Sequence, residues 1–247
     1  MYVPSQPFST EALPTMYDLP SEYPGEPGLP DEFHGWQARF LSDICCPPNY
    51  PTNRIFTAID LNLYYDVNHL NWYKRPDWFV VVGVPKLYQE RDLRLSYVMW
   101  QEKVSPLAVV ELLSPGTEDE DLGLTEQQSN QPPTKWQVYE RILQVPYYFV
   151  FSRYTHELRT FRLVNNRYRE QILTEPRFWI PELELGIGLW SGSYQDCQRL
   201  WLRWYDADGN WILTPEERER QAKESAIAKA ERLAQRLREM GINPDEL

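Results

Sequence analysis

The sequence contains little cysteine, and this scarcity excludes two ways of stabilising a fold. Of its three cysteines, Cys45 and Cys46 are adjacent and Cys197 is distant, which gives neither a disulfide framework nor a zinc-binding spacing. The pattern suits a reducing compartment, so we expect a cytoplasmic location. The chain also lacks the basic patch and apolar run of a secretory signal. No apolar run reaches the roughly 20 residues of a membrane helix, so no membrane partner is expected.

Basic residues are missing from two stretches of the chain. The formal net charge is -11, and residues 1–38 hold six acidic residues while 118–134 hold five, without any Lys or Arg. These stretches account for the whole acidic excess, and the rest of the chain is balanced. Because binding to a polyanion depends on the local field, a nucleic-acid partner is still compatible with this composition. Non-specific binding through a strongly basic surface is not.

Apolar and aromatic residues are plentiful, at 42% and 14% of the chain, and allow a sizeable core. Residues 1–29 are acidic, rich in Pro and without periodicity, which predicts an extended arm. Residues 30–212 are expected to form one large domain with a Trp-rich C-terminal part. Residues 213–247 are expected to form a helical tail.

The pattern from 29 to 164 predicts helix, strands, helix and strands. Apolar spacing at 29–44 indicates a helix. IFTAIDLNLYY, WFVVVGV, LSYVMWQ and PLAVVELL indicate strands. The second and fourth are almost continuously apolar, as central strands covered on both faces are. An acidic loop, the helix of KWQVYERILQ and the strands PYYFVFSR and ELRTFRLV follow. We expect an α+β or α/β fold with a mixed β-sheet flanked by helices.

The end of the chain predicts an amphipathic helix. Thr214 and Glu217 have the spacing of a capping box, and Pro215 falls at the first helical position. An apolar seam then recurs at spacings of four and three, through Ala226, Ala230, Leu233, Leu237 and Met240. This short seam leaves open whether the helix docks on its own domain or joins two copies of the chain.

Two carboxylates lie at the edges of apolar strands. Asp77 precedes the run WFVVV, and Glu111 lies near the end of the run LAVVELL. Burying a charge is costly unless the group is paired, hydrogen-bonded or bound to a metal. If the two strands are adjacent, both carboxylates can face one cleft, where their oxygen atoms suit Mg²⁺ or Mn²⁺. A Mg²⁺ held in this way can activate a water molecule and clamp a phosphate.

The residues around these carboxylates resemble the PD-(D/E)xK nuclease superfamily. More closely, RPDWFVVVG, VVELLSPGTEDEDLG and KWQVYERILQVPYYFVF resemble a bacterial family of restriction endonucleases, the Uma2 type. The resemblance covers at least residues 55–165 and extends to the helix at 30–44. It implies that the domain at 30–212 has a restriction-endonuclease-like fold and that the protein hydrolyses phosphodiester bonds with a divalent metal.

The resemblance also implies roles for individual residues. Asp77, Glu111 and the backbone carbonyl of Leu112 would bind the metal. The superfamily places a lysine two residues after the Glu, but this chain has Leu113 there. The family pattern offers Lys135 instead, whose positive charge would stabilise the developing phosphorane. The other interpretation of Lys135 is a solvated residue at the start of a helix.

Four further residues are candidate accessories. Tyr139 shares a helical face with Lys135. Asp60 faces either the cleft or the solvent, and Glu32 either joins the site or interacts with the dipole of its own helix. Ser114 either lies beside the metal or stabilises a turn. Three histidines are set aside because they lie singly, without a metal-binding spacing: His34, His69 and His156.

These patterns favour a Mg²⁺- or Mn²⁺-dependent endonuclease that acts on nucleic acid, with DNA expected ahead of RNA. A homodimer or another homo-oligomer is expected. Leu113 and the acidic loop motivate an alternative, a non-catalytic module that binds nucleic acid or protein on a nuclease-like scaffold. The high Trp content motivates a third, an aromatic platform that binds carbohydrate.

Overall fold

The computed structural model of the chain describes residues 31–114, 116–125 and 131–241. The acidic arm predicted at 1–29 lies outside these residues, as does the end of the predicted tail. The division of the chain into an arm, a domain and a tail stays a prediction.

The described helices are α1 (Glu32–Ile44), α2 (Met99–Glu102), α3 (Glu118–Asp121), α4 (Lys135–Gln137) and α5 (Pro215–Glu239); a 3₁₀ turn spans Thr52–Arg54, and a π-helical turn, Val138–Ile142, continues α4. The described strands are β1 (Ile55–Ile59), β2 (Leu63–Tyr64), β3 (Tyr73–Lys74), β4 (Trp78–Val82), β5 (Tyr97–Val98), β6 (Ala108–Leu112), β7 (Tyr147–Ser152), β8 (Glu157–Val164), β9 (Arg167–Glu170), β10 (Arg177–Ile180), β11 (Leu185–Tyr194) and β12 (Cys197–Tyr205).

The main sheet contains six strands in the order β1-β4-β6-β7-β8-β9. Its central pair, β6 and β7, is parallel, whereas the other neighbouring pairs are antiparallel. Parallel neighbours need a long crossover, and here that crossover carries α3 and α4. Two three-stranded sheets, β10-β11-β12 and β3-β2-β5, accompany the main sheet. The predicted mixed sheet flanked by helices is therefore confirmed.

Alternation along β6 assigns its side chains to two separate core layers. Val110 and Leu112 pack in the layer that contains α1 and the sheet β10-β11-β12. Val109 and Leu113 pack in the opposite layer, which contains the α4 segment and the sheet β3-β2-β5. Successive residues of a strand point to opposite faces, so Glu111 faces the α4 segment.

The register of β4 against β6 brings the two strand carboxylates together. Trp78 pairs with Val110 in this antiparallel ladder. Asp77, the residue before β4, therefore lies opposite Glu111 at the end of the paired region. The apolar residues that follow Asp77 are buried throughout β4 except at its last position, so they fix the strand and with it the carboxylate.

The Trp-rich segment forms β11 and β12 and packs on α1. Trp201 and Trp204 are buried, and the Trp204 indole donates a hydrogen bond to the Leu41 carbonyl at 3.1 Å. The Gln37 amide of α1 exchanges hydrogen bonds with the backbone of Leu202 at 3.0 and 2.8 Å. These indoles belong to the core. The prediction that they form an exposed platform for carbohydrate is therefore wrong.

The strand predicted for LSYVMWQ is mostly wrong. Only Tyr97 and Val98 pair, in parallel with Leu63 and Tyr64, and the helical turn α2 begins at the next residue. Tyr97 is the one fully buried residue of this segment, so no second core position extends the strand.

Helix α5 begins as predicted, with Thr214 and Glu217 forming a reciprocal capping box and Pro215 in the first turn. The helix has no buried residue along its length. Its N-terminal turn is tied to β12, where Arg203 forms an ion pair with Glu217. Among the described helices, none combines the length and the apolar character needed to cross a bilayer.

Candidate active site

Glu111 is the centre of a buried polar cluster. Its side chain on β6 has no exposed surface. The Tyr139 hydroxyl donates a hydrogen bond to Glu111 Oε1 at 2.8 Å, and Lys135 Nζ lies 3.1 Å from Glu111 Oε2. Lys135 and Tyr139 are four residues apart on the α4 segment, so both reach the same carboxylate. The structure thus brings together three residues named from the sequence, and their catalytic roles stay predictions.

Asp77 lies beside Glu111 and faces the end of β6. Its Oδ2 accepts a hydrogen bond from the Leu112 backbone nitrogen at 2.6 Å. The Asp77 backbone nitrogen also approaches Glu111 Oε2, at 3.4 Å. Asp77 is partly exposed whereas Glu111 is fully buried. Of the two carboxylates, Asp77 is therefore the one that solvent or a ligand can reach directly.

A third carboxylate, Asp121 of α3, joins this cluster although no sequence pattern singled it out. Its side chain is buried, and its Oδ1 lies 2.8 Å from Lys135 Nζ. The Thr117 hydroxyl donates to Asp121 Oδ2 at 3.1 Å. In the sequence, Asp121 is one of four consecutive acidic residues, a pattern that is typical of a solvent-exposed segment. Its place inside the family-like segment VVELLSPGTEDEDLG was the one available signal.

Burial and mutual repulsion shift the ionisation of the cluster. Burial raises the pKa of Glu111 well above its ordinary value; the charge of Lys135 opposes this, and those of Asp121 and Asp77 add to it. Burial also raises the pKa of Asp121, against the charge of Lys135. Burial alone would lower the pKa of Lys135, but the charges of Glu111 and Asp121 prevail and raise it well above its ordinary value. Lys135 is therefore protonated at neutral pH.

Glu120, the residue before Asp121, holds the backbone of Lys135. Its Oε1 accepts a hydrogen bond from the Lys135 backbone nitrogen at 3.0 Å and another from Lys74 Nζ at 2.8 Å. Burial tends to raise the pKa of Glu120, but the hydrogen bond and charge of Lys74 outweigh burial and leave the pKa lowered. Lys74 belongs to β3, three residues before Asp77, so this contact joins α3 and α4 to the strand segment that leads into the site.

His34 of α1 lies against the Leu112 carbonyl, the backbone group that the family resemblance assigns to metal binding. The Nε2 atom of His34 is 3.0 Å from that oxygen and 3.5 Å from Ser114 Oγ, and its Nδ1 is 2.7 Å from Asp31 Oδ1. Carboxylate and carbonyl oxygens only accept, so the geometry suits an imidazolium that donates from both nitrogens. His34 was set aside in the sequence because it lies singly, without a metal-binding spacing. Leu112 and Ser114, which it contacts here, belong to a distant segment of the chain.

Asp31 carries the opposite charge in this arrangement. Burial tends to raise its pKa, but hydrogen bonds from His34 and the charges of His34 and Arg153 leave the pKa lowered. Arg153 Nη1 lies 2.5 Å from Asp31 Oδ2. Asp31, His34 and Arg153 thus form a second charged group, next to Leu112 and on the side of the sheet that carries α1.

Two of the predicted accessory residues lie elsewhere. The Asp60 side chain is exposed and forms an ion pair with Arg75. Its contact with Asp77 is through the backbone, where Asp60 N donates to the Asp77 carbonyl at 3.2 Å. Glu32 is exposed in the first turn of α1, which matches its interpretation as a partner of the helix dipole. Ser114 is buried, and its hydroxyl lies beside His34. A residue that only stabilises a turn would not need to lie this close to the site.

The described residues contain no group of three or more His, Cys, Asp or Glu side chains already arranged to hold a metal ion. The donor chemistry at the end of β6 nevertheless fits Mg²⁺ or Mn²⁺, because Asp77, Glu111 and the Leu112 carbonyl offer oxygen atoms alone. Glu111 and Asp121 also contact a single ammonium group, with which Asp77 interacts electrostatically, and a divalent cation would offset the negative charge of these carboxylates. A carbonyl oxygen has two lone pairs, so the contact with His34 leaves one for a metal.

A mixed sheet whose central strands present carboxylates to a lysine on a crossover helix defines a nuclease-like class of protein. The chain belongs to the Uma2 family: the model of that family, described as "Putative restriction endonuclease", matches residues 13–197. This range includes the whole carboxylate and lysine cluster, together with β11 and the start of β12. No curated protein matches the chain.

Proposed function

We propose that this protein is a metal-dependent endonuclease that hydrolyses phosphodiester bonds, with DNA as its substrate. The observation that carries the proposal is the convergence of Asp77, Glu111 and Lys135, which come from the residue before β4, from β6 and from α4, around the buried Glu111 carboxylate. Membership of a family described as restriction endonucleases supports the same reaction class. The cytoplasmic location expected from the cysteine pattern is part of the proposal.

Asp77, Glu111 and the Leu112 carbonyl would hold the metal. A bound Mg²⁺ or Mn²⁺ would polarise the scissile phosphate and lower the pKa of the attacking water. Tyr139 fixes the Glu111 carboxylate by donating to the oxygen that Lys135 does not contact. The burial of Glu111 and Tyr139 excludes bulk water, which strengthens the electrostatic interactions within the site.

Lys135 supplies the positive charge that Leu113 does not. Its side chain is only 18% exposed, and its ammonium group stays protonated through its two carboxylate contacts. A fixed cation of this kind stabilises the negative charge that develops on the phosphoryl oxygens during water attack. Because the ammonium is protonated, its proposed role is electrostatic stabilisation and not removal of a proton from water.

The proposal is tested by cleavage of plasmid and oligonucleotide substrates with Mg²⁺ or Mn²⁺. Asp77→Asn and Glu111→Gln change charge while keeping side-chain size, and each is expected to abolish cleavage. Asp196→Asn, at an exposed hairpin position with positive φ that Asn tolerates, is the matched control and should retain activity. Cleavage by the purified protein that survives both site substitutions would contradict the proposal.

The alternative, a non-catalytic binding module, has one observation in its favour. The ammonium of Lys135 already contacts Glu111 and Asp121, so the cluster contains a cation without any metal. Calorimetric titration with Mn²⁺ separates the two functions. Binding that Asp77→Asn removes supports the nuclease, whereas a protein that binds DNA but no Mn²⁺ supports the binding module.

We also propose that the protein is a homodimer joined through α5. The helix has no buried residue, and Leu233 on its apolar seam is 54% exposed. A helix in a protein gains most of its stability from packing of its apolar face. A second copy of the same helix would supply that packing along the seam.

A further inference from the structure

Lys135 reaches Glu111 from outside the sheet, and something must hold it there. A lysine at position 113 would be placed by β6 itself, whereas Lys135 begins a separate helix after the long polar loop. The helical part of α4 spans just Lys135–Gln137 before the π-helical turn begins. Such a short element does not fix its own position, because most helical stability in proteins comes from tertiary packing.

Two adjacent carboxylates contact Lys135 at its two ends. Glu120 accepts from the Lys135 backbone nitrogen at 3.0 Å, and Asp121 lies 2.8 Å from its Nζ. The first of these nitrogens is one of the donors that a helix leaves without a partner in its first turn. Thr134 caps a different donor, the Gln137 nitrogen. Glu120 therefore provides a contact that the capping box does not.

Lys74 completes this arrangement from the other side. Its Nζ donates to the same Glu120 oxygen at 2.8 Å, and its side chain is only 14% exposed. Because Lys74 lies on β3 and Asp77 follows three residues later, Glu120 is tied to the segment that carries a candidate metal-binding carboxylate. The backbone of Lys135 and the segment before Asp77 thus share one anchor.

We infer that Glu120 is a positioning residue, which with Lys74 sets the distance between the Lys135 ammonium and the Asp77–Glu111 pair. This inference rests on the proposed function and gives a structural reason why a lysine outside the sheet can replace one at position 113. Asp121 then holds the ammonium itself, so the turn of α3 controls both ends of the lysine. Misplacement of a catalytic group by about 1 Å can reduce the rate by about 10²-fold.

The first test does not depend on activity. Amide hydrogen exchange at Lys135, followed by NMR on ¹⁵N-labelled full-length protein, reports the contact with Glu120. We expect Glu120→Ala to accelerate this exchange by about tenfold or more, because it removes a charged acceptor. Glu120→Gln keeps an acceptor and should have a smaller effect. Asp119→Asn changes an exposed acidic residue of the same turn and should leave the exchange unchanged.

The second test measures catalysis with the same variants. Glu120→Ala should lower kcat by about 10²-fold with KM unchanged, Glu120→Gln should recover part of that loss, and Asp119→Asn should stay within about twofold of the wild type. Lys74→Met should lower kcat in the wild-type protein but not further in Glu120→Ala, since both substitutions break one chain of contacts.

The outcomes distinguish this inference from the proposed function. If Glu120→Ala changes neither the amide exchange of Lys135 nor kcat, or if Asp119→Asn has the same effects, the positioning role is wrong. If the exchange responds as expected but the wild-type protein shows no metal-dependent cleavage, the positioning contact stands and the nuclease proposal fails.

Discussion

Replacing Lys135 by Met should destabilise the folded protein, and the size of the loss should depend on pH. Met keeps the length and apolar part of the side chain but removes the ammonium. The substitution leaves Glu111 and Asp121, which have 0% and 1% exposed surface, without their shared cation. Breaking a buried ion pair costs about 3–5 kcal/mol. Lys135 is 18% exposed, so partial solvent screening favours the lower end, about 3 kcal/mol at pH 8.

The direction of the pH dependence follows from the carboxyl groups. Burial raises the pKa values of Glu111 and Asp121 above those in the unfolded chain. The folded state therefore retains protons that the unfolded state releases, and the free energy of unfolding falls as pH rises through this window. Loss of Lys135 raises both pKa values further and extends the window upward. Each extra proton bound in the folded state changes the free energy of unfolding by about 1.4 kcal/mol per pH unit.

The ammonium of Lys135 does not itself contribute to this slope. Its folded pKa lies well above the ordinary value, so the stability it contributes is fully present below the unfolded pKa of about 10.4. The difference in stability between wild type and Lys135→Met should thus grow from about pH 5 to about pH 8 because of the carboxyl groups.

Urea unfolding followed by Trp fluorescence, repeated across this pH range, measures the difference. Lys223→Met is the matched control, since it makes the same chemical change at an exposed position of α5; it should change stability by at most about 0.5 kcal/mol at every pH. A decrease in the free energy of unfolding below about 1 kcal/mol that does not vary with pH would refute the reasoning, because this is the result expected for a solvated lysine.

Three further predictions concern the same residues and α5. Tyr139→Phe should lower the free energy of unfolding in urea by about 1.5–3 kcal/mol, because the Tyr139 hydroxyl donates to a buried carboxylate. Tyr148→Phe should lower it by about 0.5–1.5 kcal/mol, because the Tyr148 hydroxyl donates to a backbone carbonyl. Equal losses in the two variants would contradict a charged acceptor for Tyr139. Mg²⁺ at about 100 times its Kd should stabilise the wild type by about 2.7 kcal/mol, or roughly 5–11 °C in Tm, but not Asp77→Ala; an equal Tm rise in both would place the metal elsewhere. Leu233→Glu should convert the proposed dimer to a monomer in sedimentation experiments, and an unchanged mass would reject α5 as the interface.

Much of the fold could be predicted from the sequence because the main strands carry strong local signals. The runs WFVVV and AVVEL form β4 and β6 within the predicted limits, and the mixed sheet follows from strands on both sides of a helix. The segment LSYVMWQ failed because its apolar residues do not all face a core. Periodicity reports which side chains are apolar, and it reports strand structure only when a second layer covers them.

The site was predictable where a residue lies on a regular element, and less so elsewhere. Asp77 and Glu111 were predicted from their places at the edges of two apolar strands. Lys135 was predicted from the family resemblance, and Tyr139 from its helical spacing to Lys135. Glu120 and Asp121 were not predicted from the sequence. A run of acidic residues in a polar loop has no local pattern that distinguishes its buried members from its exposed ones. His34 meets Leu112 across 78 positions of sequence, a distance over which spacing carries no information.

The position of Leu113 shows why this chain needs an anchor in α3. Leu113 is only 8% exposed and packs in the core layer beneath the α4 segment. A lysine there would bury its charge among apolar side chains unless it reached Glu111 or water. Delivering the ammonium from α4 keeps this position apolar, but it separates the lysine from the rigid sheet. The contacts of Glu120 and Asp121 restore that connection through the crossover between β6 and β7. The acidic residues that make the loop look like a solvated linker are therefore the ones that couple the lysine to the sheet.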